Sequence, residues 1–150
     1  MSGPYCYNFP RPALTVDAAV FARIEGRWRV LLIRRGRPPF AGAWALPGGF
    51  VDMEETLDAA AARELREETG LEGVALEQLH TFGDLGRDPR GRTVSVVHIG
   101  IAGEGVAGAV RGGDDASEAD WHPIDSLPPL AFDHDKILAL AKLWLDAHKR

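Results

Sequence analysis

The sequence predicts a layered α/β or α+β sandwich, and α/β is the class that fits it best. Three observations carry this. Two adjoining runs, "ALTVDAAVFARI" and "WRVLLIRR", are dense in β-branched and apolar residues. An Ala-rich, acidic stretch has helical start and stop signals. The chain closes on an amphipathic segment of period 3.6. The 150 residues suit one domain, residues 1–150, with one core and no room for a second.

The first two runs are separated by "EGR" and read as strands joined by a tight turn. "GRPPFAGAW" follows as a loop, punctuated by Gly36, Pro38, Pro39 and Gly42, and "ALPGGFVD" takes the chain through a Pro-Gly-Gly turn. Residues 56–69 read as a helix: Thr56 caps it, the alanines favour it and Gly70 stops it. "VALEQLHTF" and "TVSVVHIGIAG" read as further strands, separated by the turn-rich "GDLGRDPRGR". "GEGVAGAVRGGDDASE" reads as a mobile Gly-rich loop and "ADWHPI" as a short strand. From Asp133 the chain is helical again, with Ile137, Leu140, Ala141, Trp144 and Leu145 on one face.

Composition narrows the function. A net charge of −5, from 17 basic and 22 acidic residues, argues against a general nucleic-acid-binding surface. No apolar run approaches the ~20 residues that span a bilayer, so no membrane partner is expected. Residues 1–11 lack the basic start and apolar stretch of a signal peptide, and a cytoplasmic location is the default. Cys6 is the only cysteine, which rules out an internal disulfide and reads as an inert thiol near the terminus. Fourteen of the basic residues are Arg, a residue suited to bidentate phosphate binding, although codon bias explains the same excess.

The acidic helix is the informative feature. Glu64, Glu67 and Glu68 fall within roughly a 100° arc of one face. Each like-charge pair there costs a few tenths of a kcal/mol in an exposed helix. Arg63 and Glu67 have salt-bridge spacing. Glu64 and Glu68, however, have no basic residue three or four positions away, so a solvated, salt-bridged face does not account for them. Hard divalent cations do, because Mg²⁺ takes oxygen ligands and shares substrate phosphates.

The flanks complete a pattern: Gly49, five residues, Glu55, seven residues, Arg63-Glu64-Leu65, one residue, Glu67-Glu68, one residue, Gly70-Leu71. Position for position this resembles the signature of the Nudix hydrolases, G-x5-E-x7-R-E-U-x-E-E-x-G-U with U apolar. The resemblance implies an α/β/α sandwich around a mixed sheet, and hydrolysis of a nucleoside diphosphate linked to another group with Mg²⁺ or Mn²⁺. It implies that Glu64 and Glu68 are the principal metal ligands, with Glu67 close behind, Glu55 in support and the Gly49 carbonyl completing the set. Arg63 would orient the glutamates. A proton acceptor often lies late in the chain in this family. Asp114, Asp115 and Glu118 are the candidates here, and Glu118 is preferred by its position before the last strand.

"RPALTVDAAVF", "PPFAGAWALPGGFVD", "GRDPRGR" and "LAFDHDKIL" resemble the ADP-ribose pyrophosphatase branch, which implies release of AMP and ribose 5-phosphate. Where better-described ADP-ribose hydrolases often carry a proline beyond the signature, this chain has Arg87, with Pro89 nearest. Arg34, Arg35, Arg87, Arg90 and Arg92 are candidates to grip phosphate or ribose. Trp44 and Phe40 are candidates to stack on a base, and His134 is a candidate substrate contact or helix cap. For Trp44 the competing assignment is core packing under the loop. The expected partner is a nucleotide or nucleotide-sugar substrate, and "YNFPRP" is apolar enough to permit a homodimer. Three rival functions share the same metal helix: a nucleoside triphosphate sanitiser, a dinucleoside polyphosphate hydrolase and a non-catalytic ADP-ribose sensor.

Overall fold

A computed structural model describes residues 4–111 and 116–149. The chain runs β1 (Ala13–Ile24), β2 (Arg27–Arg35), β3 (Trp44–Ala45), β4 (Gly48–Phe50), α1 (Leu57–Thr69), β5 (Glu77–Phe82), β6 (Thr93–Ala102), α2 (Glu104–Ala107), β7 (Ala116–Pro123) and α3 (His134–His148). All seven strands join one sheet, whose main path is β3-β2-β1-β6-β5, with β4 on β1 and β7 on β2. Among the described strands, β1 and β6 pair in parallel, Ala13 opposite Thr93 through Ala22 opposite Ala102, and the other strand pairs are antiparallel, so the sheet is mixed.

The period-2 geometry of β1 divides the core. Ala18, Val20 and Ala22 face Leu65 of α1 and Ala107 of α2. Ala19 and Phe21 face Ile137, Leu138, Ala141 and Leu145 of α3. Because helices cover both faces, residues 15–22 are all buried, which is why this strand reads as a continuous apolar run. The α/β/α sandwich follows directly.

Local signals fall where the chemistry asks. The β1–β2 turn puts Glu25 and Gly26 at φ 52° and 79°, the left-handed pair of a two-residue hairpin. The Thr56 hydroxyl accepts the Ala59 N–H at 3.1 Å, worth about 1 kcal/mol as an N-cap. Gly70 closes α1 at φ 77°, with its N–H on the Arg66 carbonyl.

Four details differ from the sequence reading. The two-residue β3 and three-residue β4 are too short to show a period. Val74 and Leu76 precede β5 and pack beneath the α1 face instead of joining the strand. The Gly-rich loop contains the one-turn α2, pinned because Ala107 is buried and its carbonyl accepts Trp121 Nε1–H at 2.9 Å. β7 begins at Ala116, earlier than "ADWHPI". Asp114 and Asp115 lie outside the described residues. None of the described helices is long and apolar enough to cross a membrane.

Candidate active site

β4 lies antiparallel to the start of β1, with Gly48 opposite Asp17 and Gly49 opposite Val16. This brings the Pro-Gly-Gly turn against the acidic face of α1. The Gly48 N–H donates to Glu68 Oε1 at 2.7 Å. A Cβ on Gly49 would sit 2.5 Å from Glu64 Oε1, and one on Gly48 would collide with the Asp17 carboxylate. Both glycines are there for close approach.

Arg63 organises the cluster. Its Nε and Nη2 fork onto Glu55 at 2.9 and 2.6 Å, and Nη1 reaches Glu64 and Glu67 at 2.8 and 2.9 Å. Nη2 also donates to the Phe50 carbonyl at 3.1 Å. The Arg63–Glu67 spacing forms the expected salt bridge. Glu64 gains a partner that a search three or four positions away does not reveal, because the neighbouring Arg63 side chain folds back over it. One guanidinium thus serves three carboxylates, and its own basicity is raised by them. The Glu55 carboxyl is held down at about 2 by its hydrogen bonds from Arg63. Burial pushes Glu64 up, and pushes Glu68 up to about 8, with Glu64 and Asp17 adding repulsion.

Two of these carboxylates, Glu64 and Glu68, belong to one wall of a pocket of about 380 Å³. Glu64, Glu68 and Asp17 line it on one side, and Arg35, Arg37 and Arg90 contribute cations. Asp17 is a functional candidate that the sequence reading missed. It is 7% exposed, and burial raises its carboxyl to about 7. Its signal was present: a lone carboxylate in a strand otherwise buried on both faces. Asp17 and Thr15 share the α3-facing side of β1, where the apolar layer gives way to the pocket.

His134 stands beside Asp17 on the same floor. Its Nδ1 accepts the Leu46 N–H at 3.0 Å, and its Nε2 lies 3.8 Å from Asp17 Oδ1. Burial lowers its pKa to about 4, so the ring is neutral with its proton on Nε2. Arg87 lines the pocket but is committed to structure. It is bidentate to Asp133 at 2.9 and 2.7 Å and donates to Ser95 Oγ at 2.7 Å. Arg90 is paired with Asp88 at 2.8 Å.

Eight described sequence candidates lie outside this lining. Glu55, Arg63 and Glu67 stay in the Arg63 cluster, and Phe40 meets Phe132 edge-on. Arg34 donates to Glu118 at 3.1 Å and to the Gly42 carbonyl, leaving both members of that pair outside the lining. Arg92 donates to the Gly83 carbonyl. Trp44 packs edge-on against His122, ring centroids 4.4 Å apart, and abuts the α3 side of the core. Strand alternation explains the Arg34–Arg35 split: adjacent residues point to opposite sides.

A family model described as NUDIX domain matches residues 12–141. The chain belongs to the Nudix hydrolase family. Among relatives of this Nudix chain, an ADP-ribose pyrophosphatase of Methanocaldococcus jannaschii is 42% identical over 133 residues, covering 89% of this chain and 75% of the relative. An ADPR responsive transcriptional repressor, NtrR, of Acinetobacter baylyi is 36% identical over 138 residues, covering 89% of this chain but 54% of the repressor. Among solved structures, the NUDIX domain of Shewanella oneidensis NrtR complexed with ADP ribose superposes with a TM-score of 0.85 at 35% identity, covering 91% of this chain and 90% of that one.

Nudix hydrolases work with a divalent metal, and the donor set here fits one. Every candidate side-chain ligand is a carboxylate oxygen, Glu64 and Glu68 lie one turn apart, and the absence of a Cβ at Gly49 leaves open the space beside Glu64. Among the described residues, no three His, Cys, Asp or Glu side chains already converge as a closed metal site.

Proposed function

We propose that this chain, as a single cytoplasmic domain, hydrolyses ADP-ribose to AMP and ribose 5-phosphate with Mg²⁺ or Mn²⁺. The observation that carries this reading is the pocket itself. Buried carboxylates of the signature helix and an arginine-bearing wall share one cavity. Such a cavity holds a cation and a diphosphate together. The M. jannaschii pyrophosphatase and the ADP-ribose-bound Shewanella domain support the substrate choice.

In this scheme Glu64 and Glu68 hold the metal, Glu67 stands beside them and the Gly49 carbonyl completes the set. The bound cation supplies the charge neutralisation that a diphosphate needs before water can attack in line. Arg63 keeps three mutually repelling glutamates in place, with Glu55 as its anchor. The Gly48 N–H fixes one oxygen of Glu68 and leaves the other for coordination. Arg35 and Arg90 receive phosphate oxygens from the far wall. Neutral His134 offers its Nε2–H to a substrate oxygen, while Arg87 positions the floor through Asp133 and Ser95. Glu118, the proton acceptor expected from sequence, is paired with Arg34, and this reading gives it no part in the chemistry.

The likeness to the NtrR repressor favours one further reading, an ADP-ribose sensor without turnover. The intact set of Glu55, Glu64, Glu67 and Glu68 speaks for hydrolysis, and the acidic net charge speaks against contact with nucleic acid by this domain. The exposed Tyr5, Tyr7 and Phe9 offer a homodimer a surface. Chromatography of products from ADP-ribose, NADH, diadenosine polyphosphates and 8-oxo-dGTP, each with Mg²⁺ and with Mn²⁺, tests the proposal. AMP and ribose 5-phosphate from the first substrate, at the highest kcat/KM, are expected. Tight ADP-ribose binding without turnover of any substrate would assign the sensor instead.

A further inference from the structure

His98 is a polar residue in a layer that is otherwise apolar. On β6, Val97 and Ile99 face α3, so Val96 and His98 face α1. The imidazole is fully buried and stands opposite Ala18 of β1 in the parallel register. Its Nε2 lies 3.1 Å from Asp58 Oδ1 and, facing a carboxylate, donates to it. Its Nδ1 is buried with no hydrogen-bond partner among the described residues. An unpaired buried nitrogen costs the fold, and an apolar side chain of similar size would avoid that cost. Asp58 is the opposite case: its side chain is 80% exposed, and water would satisfy it without His98. The bond is therefore not the rescue of either partner.

Placement on the helix explains it. Asp58 lies in the first turn of α1, and Asp58, Ala61, Leu65 and Glu68 follow i, i+3, i+7, i+10. They share one stripe within about an 80° arc, roughly 15 Å long. Ala61, Leu65 and Glu68 on that stripe are buried. The Glu68 end is tied to β4 by the Gly48 N–H. Near the other end, Ala60 and Ala61 pack on Val16 and Val96, and methyl groups make shallow ridges that resist sliding and rotation weakly. A single polar contact in an apolar helix interface fixes register at a cost in stability. Side-chain ends lie about 5–6 Å from the helix axis, so a rotation of about 10° moves them by about 1 Å. Metal–oxygen distances tolerate only about 0.2 Å.

We propose that His98 is a positioning residue for the metal helix. By holding Asp58 it sets the rotation and axial placement of α1, and so where Glu64 and Glu68 stand relative to the Gly49 carbonyl. His98 is fully buried and absent from the pocket lining, so it acts through the helix and not on the substrate. The proposal rests on the reading of Glu64 and Glu68 as metal ligands, and it is independent of which substrate they serve.

The test uses three variants. His98→Leu removes the donor and the unpartnered nitrogen together, Asp58→Ala removes the acceptor at the surface, and Asp58→Asn keeps an acceptor oxygen. Calorimetric titration of nucleotide-free protein with Mn²⁺ should show affinity about tenfold weaker in His98→Leu and Asp58→Ala, the scale of a lost residue supporting metal ligands. Asp58→Asn should match the parent. The double variant of His98→Leu and Asp58→Ala should be no worse than either single, because both break one bond. Melting of the metal-free chain separates positioning from packing. His98→Leu should melt at or above the parent while binding Mn²⁺ more weakly, whereas a residue that only supports the fold would lose both together. Parent-like Mn²⁺ affinity in Asp58→Ala, or additive losses in the double variant, would overturn the proposal. If His98→Leu does not fold, Asp58→Ala and its rescue by Asp58→Asn decide the question, since that side chain is exposed. A parent that binds no Mn²⁺ would overturn both this proposal and the metal-ligand reading. A parent that binds Mn²⁺ but leaves ADP-ribose intact would sink the hydrolysis reading alone, and weaker Mn²⁺ binding in the variants would still uphold the tether.

Discussion

Replacing Glu68 by Gln in metal-free protein isolates the energetic cost of the buried carboxylate. Glu68 is 7% exposed, and its Oε1 accepts the Gly48 N–H, a bond that an amide oxygen keeps. Burial raises its pKa from 4.5 to about 8. Below pH 4.5 the side chain is protonated in both folded and unfolded chains, and its ionisation costs the fold nothing. Between 4.5 and about 8 the unfolded chain releases the proton while the folded chain retains it, so raising the pH destabilises the fold. At about 1.36 kcal/mol per pH unit, that interval amounts to about 5 kcal/mol, fully expressed above pH 8. This is a large fraction of an ordinary stability of about 5–15 kcal/mol. Gln carries no such penalty at any pH. Urea unfolding in EDTA from pH 5 to pH 9 should therefore show the variant pulling ahead of wild type, the midpoints parting by about 2 M at the alkaline end. Divalent metal added at pH 8 should restore wild type and leave the variant unmoved, while the variant loses turnover by orders of magnitude. A wild-type-to-variant gap that stays constant across this range would refute the reasoning.

Glu118→Gln should leave kcat within about threefold and the melting temperature unchanged, since an exposed pair with Arg34 is worth about 0–1 kcal/mol. A fall in kcat of about a hundredfold would restore Glu118 as the proton acceptor. Gly49→Ala would place a methyl 2.5 Å from Glu64 Oε1. Calorimetric titration should then show Mg²⁺ or Mn²⁺ affinity reduced by about tenfold or more, the scale of a displaced ligand-supporting group. Arg87→Met would strand Asp133 beside a buried apolar chain. A broken buried pair costs about 3–5 kcal/mol, so the melting temperature should drop by about 10 °C, read by circular dichroism. Asp133→Leu in the same chain should recover part of that loss.

The fold was largely legible because its strongest elements are also its most repetitive. β1 and β6 are long and buried on both faces, and α1 carries its own cap and stop, so local pattern and global fold agree. β3 and β4 escaped because two or three residues cannot display a period. α2 escaped because a single turn amid glycines is held by the burial of Ala107 and by the Trp121 hydrogen bond to its carbonyl. Each of these exists through tertiary contacts and not through propensity.

The site divides along the same line. Glu55, Arg63, Glu64, Glu67 and Glu68 are close in the chain, and helical geometry alone brings four of them to one face, so their clustering was readable from spacing. Asp17, Arg35, Phe50, Arg90 and the pair Phe132 and His134 come from five separate segments, and tertiary packing gathers them around one cavity. The sequence by itself determined the carboxylate cluster, because those residues lie within one helix and the turn before it, and the class of reaction followed from the Nudix signature they spell. Which arginines and aromatics line the pocket, and whether Glu118 does, were decided by the tertiary structure. A side chain's direction depends on strand register and on the neighbours it finds, and neither is encoded locally.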